Sequence, residues 1–191
     1  EECVIAELGG PSVVLGYSMG GRVAIHFALK YPHLVESLIL IGATAGIANE
    51  LERQARFESD AAFAEWIEAN GIEAFCERWR ANPIIATQEV IPAPYGDALR
   101  DRKKHLCVEG LTEALRTVGA GALPSVWDRL GELDIPTLVM VGESDSKYSE
   151  IGRDLVRCLP QAQLGLVSGA GHAAHLEAST EAAEMITDFL G

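Results

Sequence analysis

The sequence is short of positive charge, of cysteine and of long apolar runs, and each shortage removes a class of function. Fifteen Lys and Arg face 28 Asp and Glu, a formal net charge of −13. Such a balance argues against nucleic acid or an anionic membrane surface as the partner, and an anionic small ligand would need cations placed locally. The four cysteines, Cys3, Cys76, Cys107 and Cys158, are scattered, with neither a Cys-x-x-Cys pair nor Cys/His metal spacing. Neither a disulfide scaffold nor a zinc site is expected. No apolar run is long enough to cross a bilayer, and no signal-peptide, lipidation or transit pattern is visible. The expected setting is a reducing cytoplasm. What is present, 48% hydrophobic residues in a chain of 191, suffices for one globular domain with a substantial core.

Short apolar runs and helical stretches alternate. Ser12 to Tyr17 (SVVLGY) follows the turn residues Gly9, Gly10 and Pro11, and Ser37 to Ile41 (SLILI) is continuously apolar. Runs of this kind suit strands of a parallel sheet covered on both faces. Between them, Arg22 to Lys30 reads as a helix whose polar residues, Arg22, His26 and Lys30, are spaced by four on one stripe, with the rest buried. Thr137 to Val141 and Leu164 to Val167 are two further strand candidates, with helices expected over about 148–158 and 180–190. The pattern is that of an α/β fold with crossover helices. Residues 44–123 differ: several amphipathic helical stretches, no convincing strand, and breaks at Pro83, Pro92, Pro94 and Gly96. They read as a helical cap inserted into a core formed by 1–43 and 124–191.

Gly16-Tyr17-Ser18-Met19-Gly20 satisfies Gly-x-Ser-x-Gly, with an apolar run directly before it and a helix directly after. A serine on a sharp strand-to-helix turn needs small neighbours, and Gly16 and Gly20 supply them. Such a turn exposes the Ser18 hydroxyl and puts the Met19 amide at a helix N-terminus, where it can stabilise an oxyanion. A serine nucleophile or base needs a histidine, and the histidine an acid. In this fold they follow in the order Ser, Asp or Glu, His. Asp145 lies just past the Thr137 run, with Glu143 as the competing acid, and His172 just past the Leu164 run, with His175 as its competitor. His26 and His33 read as structural, and His105 lies in a basic stretch with Arg100, Arg102, Lys103 and Lys104.

From Val13 to Glu177 the chain resembles the 2-succinyl-6-hydroxy-2,4-cyclohexadiene-1-carboxylate (SHCHC) synthases of menaquinone biosynthesis. The likeness rests on GYSMGGRVAIHFALKYP, ERQARFESD, FCERWRANPII, GLTEALR, LPSVWDRLGEL, VGESDSKY and GAGHAAHLE. It implies an α/β-hydrolase fold and a lyase in which the Ser18/His172 pair takes a proton and pyruvate is expelled, without an acyl-enzyme. The implied substrate carries three carboxylates, which arginine forks bind bidentately. By resemblance Tyr17, Arg22, Arg56, Trp79 and Lys147 face that substrate, with Arg53 the alternative to Arg56. A third cation is unassigned among Arg102, Lys103 and His105. The resemblance implies no metal and no organic cofactor.

In this fold the elbow normally follows several strands and a loop that donates a second oxyanion N–H, whereas 17 residues precede Ser18 here. The sequence therefore reads as lacking its N-terminal strands, with an apolar edge that a complementary segment or self-association would cover. Two other functions fit the same residues: a carboxylesterase or C–C bond hydrolase using Ser18 covalently, and a ligand-binding receptor on the same scaffold.

Overall fold

The computed structural model describes residues 10–191; Cys3 and Gly9 lie outside them. Four parallel strands, β1 (Ser12–Tyr17), β2 (Val35–Ile41), β3 (Thr137–Gly142) and β4 (Ala162–Val167), form a sheet in the order β1-β2-β3-β4. The runs read from sequence sit inside these strands. Their continuous apolarity has a simple cause: in β2, Leu38 and Leu40 point to one face and Ile39 and Ile41 to the other, and both faces are covered. On the first face helix α1 (Met19–Lys30) packs Ile25 and Ala28 against Leu38, Leu40 and Val139. On the second, Ala182 of the C-terminal helix packs against Ile39, Ile41 and Met140.

Between β2 and β3 the chain is helical, with no strand. Helix α2 (Glu50–Arg80) joins three of the expected amphipathic stretches into one run, bent where Gly71 takes φ 80°. Its start is fixed by Asn49, whose side chain accepts from the Leu51 and Glu52 amides at 2.9 and 3.1 Å. Helices α3 (Tyr95–Lys104) and α4 (Val108–Val118) follow, and Arg116 of α4 holds Glu68 of α2 through two hydrogen bonds of 2.6 and 2.9 Å. Past β3 the chain forms α5 (Ser146–Cys158), and past β4 a helical turn (Ala174–Glu177) leads into α6 (Ser179–Leu190). Among the described residues no helix is long and apolar enough to cross a membrane.

The reading of α1 needs correction. Arg22 is buried, with 7% exposure, whereas Val23 is 41% exposed. Two surfaces cover the helix: the sheet, against Ala24, Ile25 and Ala28, and the helical segment, where the Arg22 guanidinium donates to the Val118 carbonyl at 3.4 Å. Periodicity identifies an apolar stripe but not a second partner that covers a polar one.

Because the strands are parallel and in close register, with Tyr17 beside Ile41, Ile41 beside Met140 and Gly142 beside Val167, all four end at the same edge. Functional groups of a parallel sheet gather at that edge. Leu40 is fully buried in the core that sets this register. Leu40→Ala should destabilise the protein by about 3 kcal/mol, seen as a lower urea midpoint with an unchanged slope.

Candidate active site

Ser18 sits between the end of β1 and the first residue of α1, and it is the one non-glycine residue with positive φ among those described (φ 51°, ψ −111°). Its amide donates to the Ile41 carbonyl at 2.8 Å, and its carbonyl accepts from the Gly21 and Arg22 amides at 3.1 and 3.3 Å. The turn is so tight that a Cβ on Gly16 would lie 2.5 Å from the Gly20 carbonyl oxygen. Met19 opens the helix, so its amide is among those a helix leaves without an internal partner.

From the ends of β3 and β4 come the two groups that meet this serine. His172 Nε2 lies 2.9 Å from Ser18 Oγ, and Nδ1 lies 2.8 Å from Asp145 Oδ2. The other carboxylate oxygen of Asp145 accepts from the Tyr148 amide at 3.2 Å, so Asp145 also caps α5. Burial alone would raise the Asp145 pKa. The hydrogen bond from His172, that from the Tyr148 amide, and the charges of His172 and Lys147 outweigh it and hold the carboxyl below its ordinary value. Asp145 is therefore ionised at neutral pH, Nδ1–H donates to it, and Nε2 is left to accept the Ser18 proton. The competitors are engaged elsewhere: Glu143 accepts from the Ser168 hydroxyl and the Gly169 amide at 3.2 and 3.1 Å, and His175 packs on Tyr17 with its Nδ1 buried and unpartnered.

Two tyrosines flank His172. Tyr17 lies 5.4 Å away and Tyr148 4.5 Å, centroid to centroid. Burial, then Glu177, Tyr148 and Asp145, push the Tyr17 phenol far above its usual range, so it remains neutral. Tyr148 stands in the quoted VGESDSKY, yet nothing in the sequence marks it out as a wall of the histidine's pocket.

Arg22 reaches a second cluster. Its pKa is lowered, chiefly by burial and also by Arg56, while Tyr148 and Asp60 act to raise it. Arg56 Nε donates to Asp60 Oδ1 at 2.7 Å, and Arg53 is tied instead to Glu50 and the Gly121 carbonyl. Arg22 Nε and Asp60 Oδ2 are both buried without a hydrogen-bond partner. Arg56, Asp60, Phe63, Trp66, Arg78 and Trp79 line a cleft of about 600 Å³ walled by the helical segment. Ser18 does not line that cleft, so Arg56 and Trp79 do not share a pocket wall with the serine. Lys147 is exposed, its ammonium 5.8 Å from the Tyr148 ring centre. Of the unassigned cations, Lys103 points inward, donating to Gln88 Oε1 at 3.1 Å, and the Gln88 side chain is within hydrogen-bonding reach of the Tyr17 hydroxyl. His105 is exposed beside Asp101. Among the described residues no cluster of three or more His, Cys, Asp or Glu is arranged to hold a metal ion.

A serine on a strained strand-to-helix turn, met by a histidine and an aspartate from the ends of later parallel strands, defines an α/β-hydrolase-fold protein. The sequence profile of the serine aminopeptidase S33 family matches residues 4–179, and the chain belongs to that family. It is 33% identical over 177 residues to a Bacillus subtilis protein provisionally named 2-succinyl-6-hydroxy-2,4-cyclohexadiene-1-carboxylate synthase, a match covering 93% of this chain and 65% of that one. The structure of MenH from S. aureus superposes with a TM-score of 0.89 at 34% identity, over 92% of this chain and 66% of that one. A thermophilic esterase from Thermogutta terrifontis superposes at 0.80 with 28% identity, over 99% and 68%. The chain thus spans about two thirds of the length of each of these relatives.

Two half-buried histidines give the stability of the fold a pH signature. Burial lowers the His175 pKa below the ordinary 6.5, opposed by Glu177 and reinforced by His172. His26 is lowered in the same sense by burial, against a hydrogen bond to the Pro124 backbone. Below pH 6.5 the unfolded chain takes up these protons before the folded one, so stability falls as pH falls toward the lowered folded values. The urea midpoint should drop between pH 7.5 and 5.5, and His175→Gln should remove part of that slope, leaving the His26 share.

Proposed function

We infer that the parent protein is an SHCHC synthase, a lyase that eliminates pyruvate from 2-succinyl-5-enolpyruvyl-6-hydroxy-3-cyclohexene-1-carboxylate in menaquinone biosynthesis. The observation that carries this reading is Arg22. One helical turn after Ser18, in a chain of net charge −13, a buried guanidinium keeps an unpartnered Nε. A buried cation with an open donor suits a carboxylate, and Arg56 adds a second cation beside it. The likeness to S. aureus MenH and to the B. subtilis protein supports the same substrate.

The chemistry follows from the proton inventory. His172, oriented by Asp145, takes the Ser18 proton as Ser18 takes one from the substrate's ring carbon. The electrons of that C–H bond, at the succinyl-bearing carbon, form a double bond to the next ring carbon, the ring double bond already present shifts one position toward the enolpyruvyl-bearing carbon, the C–O bond there breaks, and the departing enolate becomes pyruvate on protonation. Charge that builds on the succinyl carbonyl is met by the Met19 amide. Tyr17, Arg22, Arg56, Trp79 and Lys147 bind the polycarboxylate, and the reading carries with it a cytoplasmic location, no metal and no organic cofactor. In this reading residues 44–123 act as a cap over a core made of 1–43 and 124–191.

The same three residues would also serve a covalent esterase, and the likeness to the Thermogutta esterase favours that as the second reading. Pyruvate release from enzymatically generated substrate distinguishes the two. The lyase reading expects release that Ser18→Ala removes and that Asp145→Asn lowers by roughly 10³ to 10⁴. Release that persists in Ser18→Ala would sink it. Cleavage of an activated ester with a trapped acyl-Ser18 and no pyruvate would select the hydrolase. A further expectation concerns Asp60: Asp60→Asn weakens the hold on Arg56 and should raise KM for the polycarboxylate several-fold, about 1 kcal/mol, while leaving kcat on a neutral ester unchanged.

A further inference from the structure

We propose that Glu177 is a positioning residue that sets the His172 loop and, through Thr87, fastens the helical segment to it. This rests on His172 serving as the base at Ser18, but not on any particular substrate.

Glu177 lies in the helical turn just after His172, and its two carboxylate oxygens are shared between the peptides on either side of that histidine. Oε2 accepts from the Gly171 amide at 2.7 Å, and Oε1 accepts from the Ala173 amide at 3.0 Å. Two N–H donors converging on one carboxylate make a pair of charge-assisted bonds, stronger than neutral ones. They bracket the backbone from which the imidazole projects. An uncharged amide in the same place could accept one of these bonds and would turn an NH₂ group toward the other donor.

The third bond to this carboxylate comes from far away in the chain. The Thr87 hydroxyl donates to Glu177 Oε1 at 2.9 Å across 90 positions. Thr87 opens a 3-10 turn, Thr87–Val90, in the helical segment, and the next residue is Gln88, which accepts from Lys103. The packing is as close as the hydrogen bonds imply: a Cβ on Gly171 would collide with Oγ1, Cβ and Cγ2 of Thr87. On its other side the Ala170–Gly171 backbone presses on Gly142 at the end of β3, where a Cβ would collide with both carbonyl oxygens. The histidine loop is therefore held between the sheet edge and the helical segment, with Glu177 as the group common to both. A change in how the helical segment sits would reach His172 through this carboxylate, and from there the 2.9 Å contact with Ser18.

The experiment compares Glu177→Gln, Glu177→Ala, Thr87→Val and the double variant Thr87→Val/Glu177→Ala with the unsubstituted protein. Readouts are kcat and KM on p-nitrophenyl acetate and on the pyruvate-releasing substrate, the melting temperature, and the downfield proton resonance of His172 Nδ1–H. Positioning predicts that Glu177→Gln lowers kcat on every substrate turned over by about tenfold, through a small displacement of the base, with KM little changed and the Nδ1–H resonance moved or broadened. Thr87→Val, which removes one hydroxyl from a residue of nearly the same shape, should lower kcat by about threefold. It should do nothing further in the Glu177→Ala background, because the two act through one path. A lower melting temperature with kcat and the resonance unchanged would overturn the positioning role, and equal Thr87→Val effects in both backgrounds would overturn the link to the helical segment. Ester turnover without pyruvate release would defeat the lyase reading yet still test Glu177 on the ester. The resonance tests it without turnover.

Discussion

The backbone of Ser18 is held where a side chain at positive φ costs about 1–3 kcal/mol, and much of the surrounding structure serves to keep it there. The strain is offset locally by the Ile41 carbonyl on one side and the Gly21 and Arg22 amides on the other. That Ile41 is available depends on the register of β2 against β1, which depends in turn on the two-faced burial of Leu38 to Ile41. A sheet slipped by one residue would exchange the faces of all these side chains and misplace the Ile41 carbonyl. The turn, the register and the core are therefore one constraint seen at three scales.

The same edge gathers charge of both signs, and the signs are separated. Asp145 and Glu177 lie on the histidine side, one accepting from the ring and the other from the backbone that carries it. Arg22 and Arg56 lie toward the helical segment, with Asp60 alone set among them. A negative group next to the imidazole favours the imidazolium that forms when Ser18 loses its proton, whereas cations next to the helical segment favour an anionic ligand. In a protein as acidic as this one, two guanidiniums close together, one of them buried, are not a by-product of composition.

Much of this was legible in the sequence and some of it could not be. Parallel strands announce themselves as continuous apolar runs, and a glycine-flanked serine between such a run and a helix has few other readings. Asp145 and His172 follow because chain order and strand ends restrict them. The choice between Asp145 and Glu143, or His172 and His175, was open in the sequence, since each pair lies within three residues; in the structure His172 is the one beside Ser18 and Asp145 the one beside His172. The burial of Arg22, the wall formed by Tyr148 and the bond between Thr87 and Glu177 were not legible. Each depends on how another element packs, 96 residues along the chain for Arg22, 90 for Thr87 and nearer for Tyr148, and periodicity within one element carries no information about that. The elongated α2 shows the same limit: amphipathic stretches that read as separate are one helical run, bent at Gly71.

In the proposed reading, chemistry and selectivity come from different parts of the chain. The Ser18, His172 and Asp145 geometry is indifferent to whether the serine attacks a carbonyl or relays a proton, because in both cases Nε2 accepts the hydroxyl proton and Asp145 faces the resulting imidazolium. What differs between the two reactions is where the substrate's reacting atom is held relative to Ser18 Oγ, and that is decided by groups that never touch the proton. Arg22 is rooted in the elbow helix and reaches up to the Val118 carbonyl, while Arg56 hangs from α2 and is steadied by Asp60. One cation moves with the core and the other with the helical segment, so a ligand that bridges them is positioned by the docking of one upon the other. Thr87 ties the helical segment to Glu177, in the turn that follows His172. The placement of an anionic ligand between these cations and the placement of His172 are in this way referred to the same short turn.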